Sequence, residues 1–140
     1  MLFDHGTADQ CRRFLWGMAA GGETACQMLS EPDAGSDLAG VRTRAERDGD
    51  EWIITGSKTW TSNAEVVDYG MLLARTDWDV PKHAGLTFFL IRRDQPGVDV
   101  RPLRQMTGDA RFNQVFFDGA RVSTDDVLGP VGSGWAVTRT

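Results

Sequence analysis

Val41-Arg-Thr-Arg-Ala-Glu-Arg-Asp-Gly-Asp-Glu-Trp-Ile-Ile-Thr55 carries the pattern of a β-hairpin in its side chains. Val41, Thr43 and Ala45 fall on one face of an extended chain, and Arg42, Arg44 and Glu46 fall on the other. Successive side chains of a strand point to opposite faces, so this spacing predicts a sheet with one apolar side. Asp48-Gly49 supplies the turn, because glycine adopts positive φ at no steric cost. Glu51 to Thr55 returns with Trp52, Ile53 and Ile54, residue types that fit a pleated, half-buried surface.

The same signals recur outward from this hairpin. Thr24 to Leu29 reads as a short apolar strand, and Val66 to Arg75 as another, rich in Tyr69, Leu72 and Leu73. Asp77 to Ala84, with Pro81, is a polar loop, and Gly85 to Ile91 a buried strand. After the Pro96-Gly97 turn come Val98 to Leu103, Asn113 to Phe117 and Ala120 to Leu128. Several short strands between turn signals predict a mainly β chain forming an antiparallel β-barrel, with a sandwich as the alternative. A short N-terminal helix precedes them. Thr7 and Gln10 have capping-box spacing, and Cys11, Phe14, Leu15 and Met18 form a stripe opposite Arg12 and Arg13 before Gly21-Gly22 ends it. Gly134 to Thr140 has the pattern of a starting C-terminal helix. The expected organisation is a helical piece (1–22), a β-barrel (23–131) and the beginning of a second helical piece (132–140), as in the central part of a larger α–β–α protein.

Composition narrows the functions. The chain has 140 residues, 41% hydrophobic and 25% charged, enough to build a core. A net charge of −5, with arginines scattered apart from the Arg12-Arg13 and Arg92-Arg93 pairs, argues against nucleic acid or an anionic membrane as partner. No apolar run approaches the ~20 residues of a transmembrane helix. The N-terminus lacks the pattern of a signal peptide. Cys11 and Cys26 form no CxxC pair and are read as free thiols in a reducing compartment. There is no GxGxxG or Walker loop and no Ser–His–Asp or Cys–His set, and the two histidines, His5 and His83, fall in loops.

Two polar segments carry the chemistry. Met28-Leu-Ser-Glu-Pro-Asp-Ala-Gly-Ser-Asp-Leu-Ala-Gly40 is an apolar strand end that breaks into a glycine-bearing loop. Lys58-Thr-Trp-Thr-Ser-Asn63 follows about twenty residues later. A flat, polar-edged cofactor such as a flavin needs hydrogen-bond partners around its ring edge, an apolar surface on one face and close backbone approach. Leu29 and Ser30 at a strand end, Gly35 without a Cβ, Ser36, Trp60, Thr61 and Ser62 offer these groups. Taken alone, the first segment reads more readily as a surface turn, and Trp60 more readily as core or rim, than as a cofactor site.

The first segment closely resembles the signature of the acyl-CoA dehydrogenases, and the second resembles that family's other flavin segment. Met71-Leu-Leu-Ala-Arg-Thr-Asp77, Asp94-Gln-Pro-Gly-Val98 and Asn113-Gln-Val-Phe-Phe-Asp118, followed by Arg121-Val122, continue the likeness in order. The resemblance implies a β-barrel middle domain that binds FAD and acyl-CoA. Gln27, Met28, Leu29, Ser30, Gly35 and Ser36 would line the flavin. Trp60 would pack on its ring system, with Thr61 beside it and Ser62 near N5. Ser36 and His83 would touch the CoA portion. The implied reaction is oxidation of an acyl-CoA to the trans-2-enoyl-CoA, with electrons passed to an electron-transferring flavoprotein. The parent would be a homo-oligomer in the bacterial cytoplasm or mitochondrial matrix.

No catalytic residue is assigned within the chain. The family's base is a glutamate on its C-terminal helical domain, and Glu23 and Glu31 are not promoted to it. Asp33, where a small residue is usual, would add negative charge near the phosphate site. Ser123, in place of a proline, would relax the local turn. An acyl-CoA oxidase or nitroalkane oxidase-like flavoenzyme of the same fold, and a non-enzymatic binding module, are the alternatives.

Overall fold

In the computed structural model, which describes all 140 residues, eight strands join one sheet: β1 (Ala25–Met28), β2 (Arg44–Asp48), β3 (Glu51–Ser62), β4 (Tyr69–Arg75), β5 (Leu86–Arg92), β6 (Val98–Leu103), β7 (Phe112–Ser123) and β8 (Val127–Leu128). The predicted hairpin is β2–β3, paired antiparallel from Arg44↔Thr55 to Asp48↔Glu51, with Gly49 at φ 62° in the turn. Val41, Thr43 and Ala45 are buried and Arg42, Arg44 and Glu46 exposed, as the alternation requires.

The path through the sheet is β6-β7-β3-β2-β4-β5-β8, with β1 added beside β4. Two expectations are corrected here. The sheet is mixed rather than antiparallel, because β1 and β2 both meet β4 in parallel. It is also not closed into a barrel: β6 and β8 end the path without pairing to each other. β6 carries Pro102, which has no N–H to donate, and β8 is only two residues long, so neither offers a full ladder. The sheet curls instead until its inner faces meet through side chains. Trp52 on β3 packs edge-on against Phe89 on β5, centroids 5.6 Å apart, in a core shared with Met28, Ile54, Leu72, Val115 and Val122.

Alternation also explains why β4 and β5 read as continuous apolar runs. Phe89 and Ile91 face the inner core, whereas Leu86, Phe88 and Leu90 face a second cluster under the helices. The N-terminal helical stretch covers that outer face. Phe14 meets Tyr69 edge-on at 5.2 Å, and the Gln10 side chain donates to the carbonyls of Asp125 and Val127. The Thr7–Gln10 capping box is formed as the sequence predicts. Its middle turn, Cys11–Leu15, is wound as a π-helix. Val137 of the C-terminal helix (Gly134–Thr138) enters the same cluster, and His5 Nε2 lies 2.6 Å from Thr140 Oγ1.

The stretches predicted at 113–117 and 120–128 differ from the structure. Phe112 to Ser123 is one strand that runs through Gly119 at φ 69°, followed by a 3₁₀ turn (Thr124–Asp126) and β8. Ser123 caps that turn, its hydroxyl accepting from Asp125 N–H at 3.2 Å.

Phe89→Ala should lower the stability of the chain by about 3–5 kcal/mol, since it opens a cavity between the two halves of the sheet. Phe3→Ala, at a ring 83% exposed, should change it by less than about 0.5 kcal/mol. Urea midpoints of the two variants test the contrast.

Candidate functional site

β3 is more than twice as long as the Glu51–Thr55 pattern suggests, and the polar residues 58–62 lie on it. Trp52, Ile54 and Lys58 share one parity and all point inward. Continued unbroken, that parity would bury Trp60. The β3–β7 register slips between Lys58 and Thr61, so Lys58 opposes Val115 while Thr61 opposes Asn113. Beyond this bulge Thr61 is the inward residue, and Trp60 is expelled to the surface, 62% exposed. Its backbone sits at φ 58°, as does that of Asn63. The left-handed region is unfavourable for a bulky residue, and such strain concentrates where a side chain must be displayed. The Trp60 ring is braced edge-on by Phe112 at 5.9 Å.

Trp60 forms one wall of a pocket of about 320 Å³. Gln27, Leu29 and Ser30 from the end of β1 line the opposite side, with Ser62 and Asn63 beside the tryptophan. The two segments are tied together by Thr59 N–H donating to the Ser30 carbonyl at 2.9 Å. The lining therefore offers an indole face, two serine hydroxyls and carboxamides around an apolar floor that includes Ala25, Cys26 and Val67. That donor set fits a planar ring system with a polar edge.

Five of the sequence-predicted residues thus converge: Gln27, Leu29, Ser30, Trp60 and Ser62. Met28 and Thr61 do not line the pocket. Met28 is buried with its sulfur over Gly70, where a Cβ would come within 2.3 Å, and the Thr61 side chain points into the core. Gly35 and Ser36 do not line the pocket either: they lie on the exposed loop that follows Ser30, and nothing approaches the position of a Cβ on Gly35, so its backbone stays open to a ligand. His83 lies on the 77–84 loop, packed edge-on against Trp135 at 4.7 Å. The two loops are connected. Lys82 Nζ is 2.6 Å from Asp37 Oδ1, and the Arg75 guanidinium donates to the carbonyls of Ala39, Val41 and Lys82. Asp33 is exposed and lines a groove together with Arg42.

Beneath the pocket lies an ion pair that the sequence reading passed over. Lys58 is fully buried, and its Nζ donates to Glu31 Oε1 and to the Leu29 carbonyl, both at 2.8 Å. Glu31 also accepts from the backbone N–H groups of Arg42 at 2.7 Å and Thr43 at 2.8 Å. Burial pushes the Lys58 pKa down to about 8, the Glu31 charge offsetting part of that effect. Burial alone would raise Glu31. The Lys58 charge and the hydrogen bonds from Lys58, Thr43 and Arg42 outweigh it and hold the carboxyl below the ordinary glutamate value. The signal available in the sequence was parity, since position 58 falls on the inward face set by Trp52 and Ile54.

Comparison with known proteins agrees with this geometry. Residues 26–120 match the family model described as acyl-CoA dehydrogenase, middle domain. The chain is 52% identical over 136 residues to acyl-CoA dehydrogenase IpdE1 of Mycobacterium tuberculosis, covering 97% of this chain and 35% of that protein. It is 48% identical over 139 residues to acyl-CoA dehydrogenase FadE34 of the same organism, covering 99% of this chain and 20% of that protein. The solved Tcur3481-Tcur3483 steroid ACAD superposes with a TM-score of 0.95 at 37% identity, over 99% of this chain and 36% of that one. The chain thus spans about a third or less of the length of these relatives.

Glu31→Gln, which leaves the Lys58 charge buried without its partner, should destabilise the chain by about 3–5 kcal/mol. The double variant Glu31→Gln/Lys58→Met should recover much of that loss. Because the folded-state pKa of Glu31 is depressed, its stabilisation is fully present above the ordinary value of 4.5 and is lost as pH falls through the folded-state value. The gap between the parent chain and Glu31→Gln in urea denaturation should therefore narrow below about pH 4.5. A gap constant with pH would show that the charge pair is not its source.

Proposed function

Since this chain belongs to the acyl-CoA dehydrogenase family, we propose that it is the FAD- and acyl-CoA-binding middle domain (23–131) of a dehydrogenase, flanked by parts of two helical domains (1–22 and 132–140). The observation that carries the reading is Trp60, expelled from the core at positive φ and facing serine hydroxyls across a pocket of flavin-compatible chemistry. Gln27, Leu29, Ser30, Trp60 and Ser62 would hold the ring system, with Met28 and Thr61 supporting them from below. Gly35 and Ser36 would lie along the cofactor chain and the CoA arm, and Ser36 and His83 would contact the CoA portion.

Bound FAD would supply a hydride acceptor for the β-hydrogen of the thioester. The chain's own residues orient and shield the ring. None of those lining the pocket is a base at neutral pH, and the Glu31 carboxylate is occupied by Lys58 and two backbone N–H groups. The α-proton is therefore assigned to a carboxylate outside residues 1–140, so the 140-residue chain alone should not turn over. A steroid-bearing thioester is the acyl group favoured by the name of the structural neighbour. An electron-transferring flavoprotein is the proposed electron acceptor, and a homo-oligomer the proposed assembly.

The test is anaerobic bleaching of the flavin in the protein that contains this chain, using straight-chain and steroid acyl-CoA esters. Bleaching with formation of the enoyl-CoA is expected, without hydrogen peroxide when air is admitted. Peroxide formation would identify an oxidase, and a protein purified without FAD would contradict the reading. Trp60→Ala should weaken FAD binding by about tenfold, as loss of a stacked aromatic face predicts. Flavin reduction by residues 1–140 alone would overturn the assignment of the base.

A further inference from the structure

The Leu29–Ser30 peptide is the hinge between the buried ion pair and the pocket. A trans peptide unit is planar, with its C=O and N–H pointing in opposite directions, and the chain has no cis bonds. The carbonyl of this unit, on Leu29, is held inward by Lys58 Nζ at 2.8 Å. Its N–H, on Ser30, must then point the other way, and Ser30 lines the pocket. The next carbonyl, on Ser30, is already taken by Thr59 N–H. The Ser30 N–H has no acceptor within the chain and is free to donate to a ligand.

We propose that Lys58 is the positioning residue of this pocket: by anchoring the Leu29 carbonyl it aims the Ser30 N–H outward as a fixed donor to the polar edge of the bound ring. Lys58 touches neither cofactor nor substrate and acts through one peptide plane. Glu31 accepts from the ammonium and from the backbone N–H groups of Arg42 and Thr43, and makes no hydrogen bond to the Leu29–Ser30 peptide, which Lys58 holds by a separate bond. The two members of the ion pair therefore differ in function, although both stabilise the fold. This inference rests on the flavin reading given above.

The experiment compares Lys58→Met and Glu31→Gln in the intact protein that contains this chain, by FAD titration of the apoprotein and infrared spectra of the bound flavin. Lys58→Met should weaken FAD binding about tenfold, the ratio for one lost hydrogen bond, and should shift the carbonyl or ring-nitrogen bands of the flavin. Glu31→Gln should lower the melting temperature yet leave the bands unmoved and the affinity within about threefold. If Lys58→Met does not fold, Lys58→Met/Glu31→Gln replaces it with the same expectation. Unchanged bands and affinity on loss of Lys58, or equal changes in the two single variants, would overturn the inference while the flavin reading stood. Absence of FAD binding by the parent protein would overturn both.

Discussion

The buried contact between Glu31 and Lys58 holds the first loop to the sheet. Removing two charges from water costs about as much as their attraction returns, so the pair is a poor source of net stability. Its value is connectivity. Through one carboxylate and one ammonium it joins the Leu29 carbonyl, the start of the loop, the Arg42–Thr43 backbone and the middle of β3. Three stretches, at residues 29–31, 42–43 and 58, are brought to one point, and the chain between Ser30 and Gly40 is free to be irregular because both of its ends are fixed. Arg75 does the same for the outer loops, collecting carbonyls from residues 39, 41 and 82.

A second constraint acts on the display of side chains. A strand sorts residues by odd and even position, which leaves no way to show a large aromatic on the solvent side of a series that is otherwise apolar and inward. One extra residue resolves the conflict. The bulge before Thr61 reverses the parity, places Trp60 outside and Thr61 inside, and is tolerated because Phe112 braces the displaced ring. The cost of a positive φ at a tryptophan is borne by the long β3–β7 ladder on either side of it.

Period-two patterns were legible wherever one face is buried. Val41 to Ala45, the Asp48-Gly49 turn and the apolar run of β5 all fold as read, as does the Thr7–Gln10 cap. Sheet closure was not legible, because antiparallel hairpins and a curled mixed sheet share the same local alternation, and only the pairing of β1 and β2 with β4 separates them. The site was legible as two segments, because Ser30, Trp60 and Ser62 carry recognisable groups. Its support was not. Lys58 looks like one more polar residue in a polar stretch unless the parity from Trp52 is carried past Thr55. Met28 and Thr61 share these motifs, but strand alternation and the bulge turn their side chains inward, beneath the pocket.

The hydrogen-bond distance between His5 and Thr140 has a topological meaning. The path that leaves residue 5, builds eight strands and returns at residue 140 begins and ends at nearly the same point. Force applied across residues 5 and 140 would load the His5–Thr140 contact before any strand ladder. New termini opened in the exposed Asp48–Asp50 turn would need only a short linker to join residues 1 and 140.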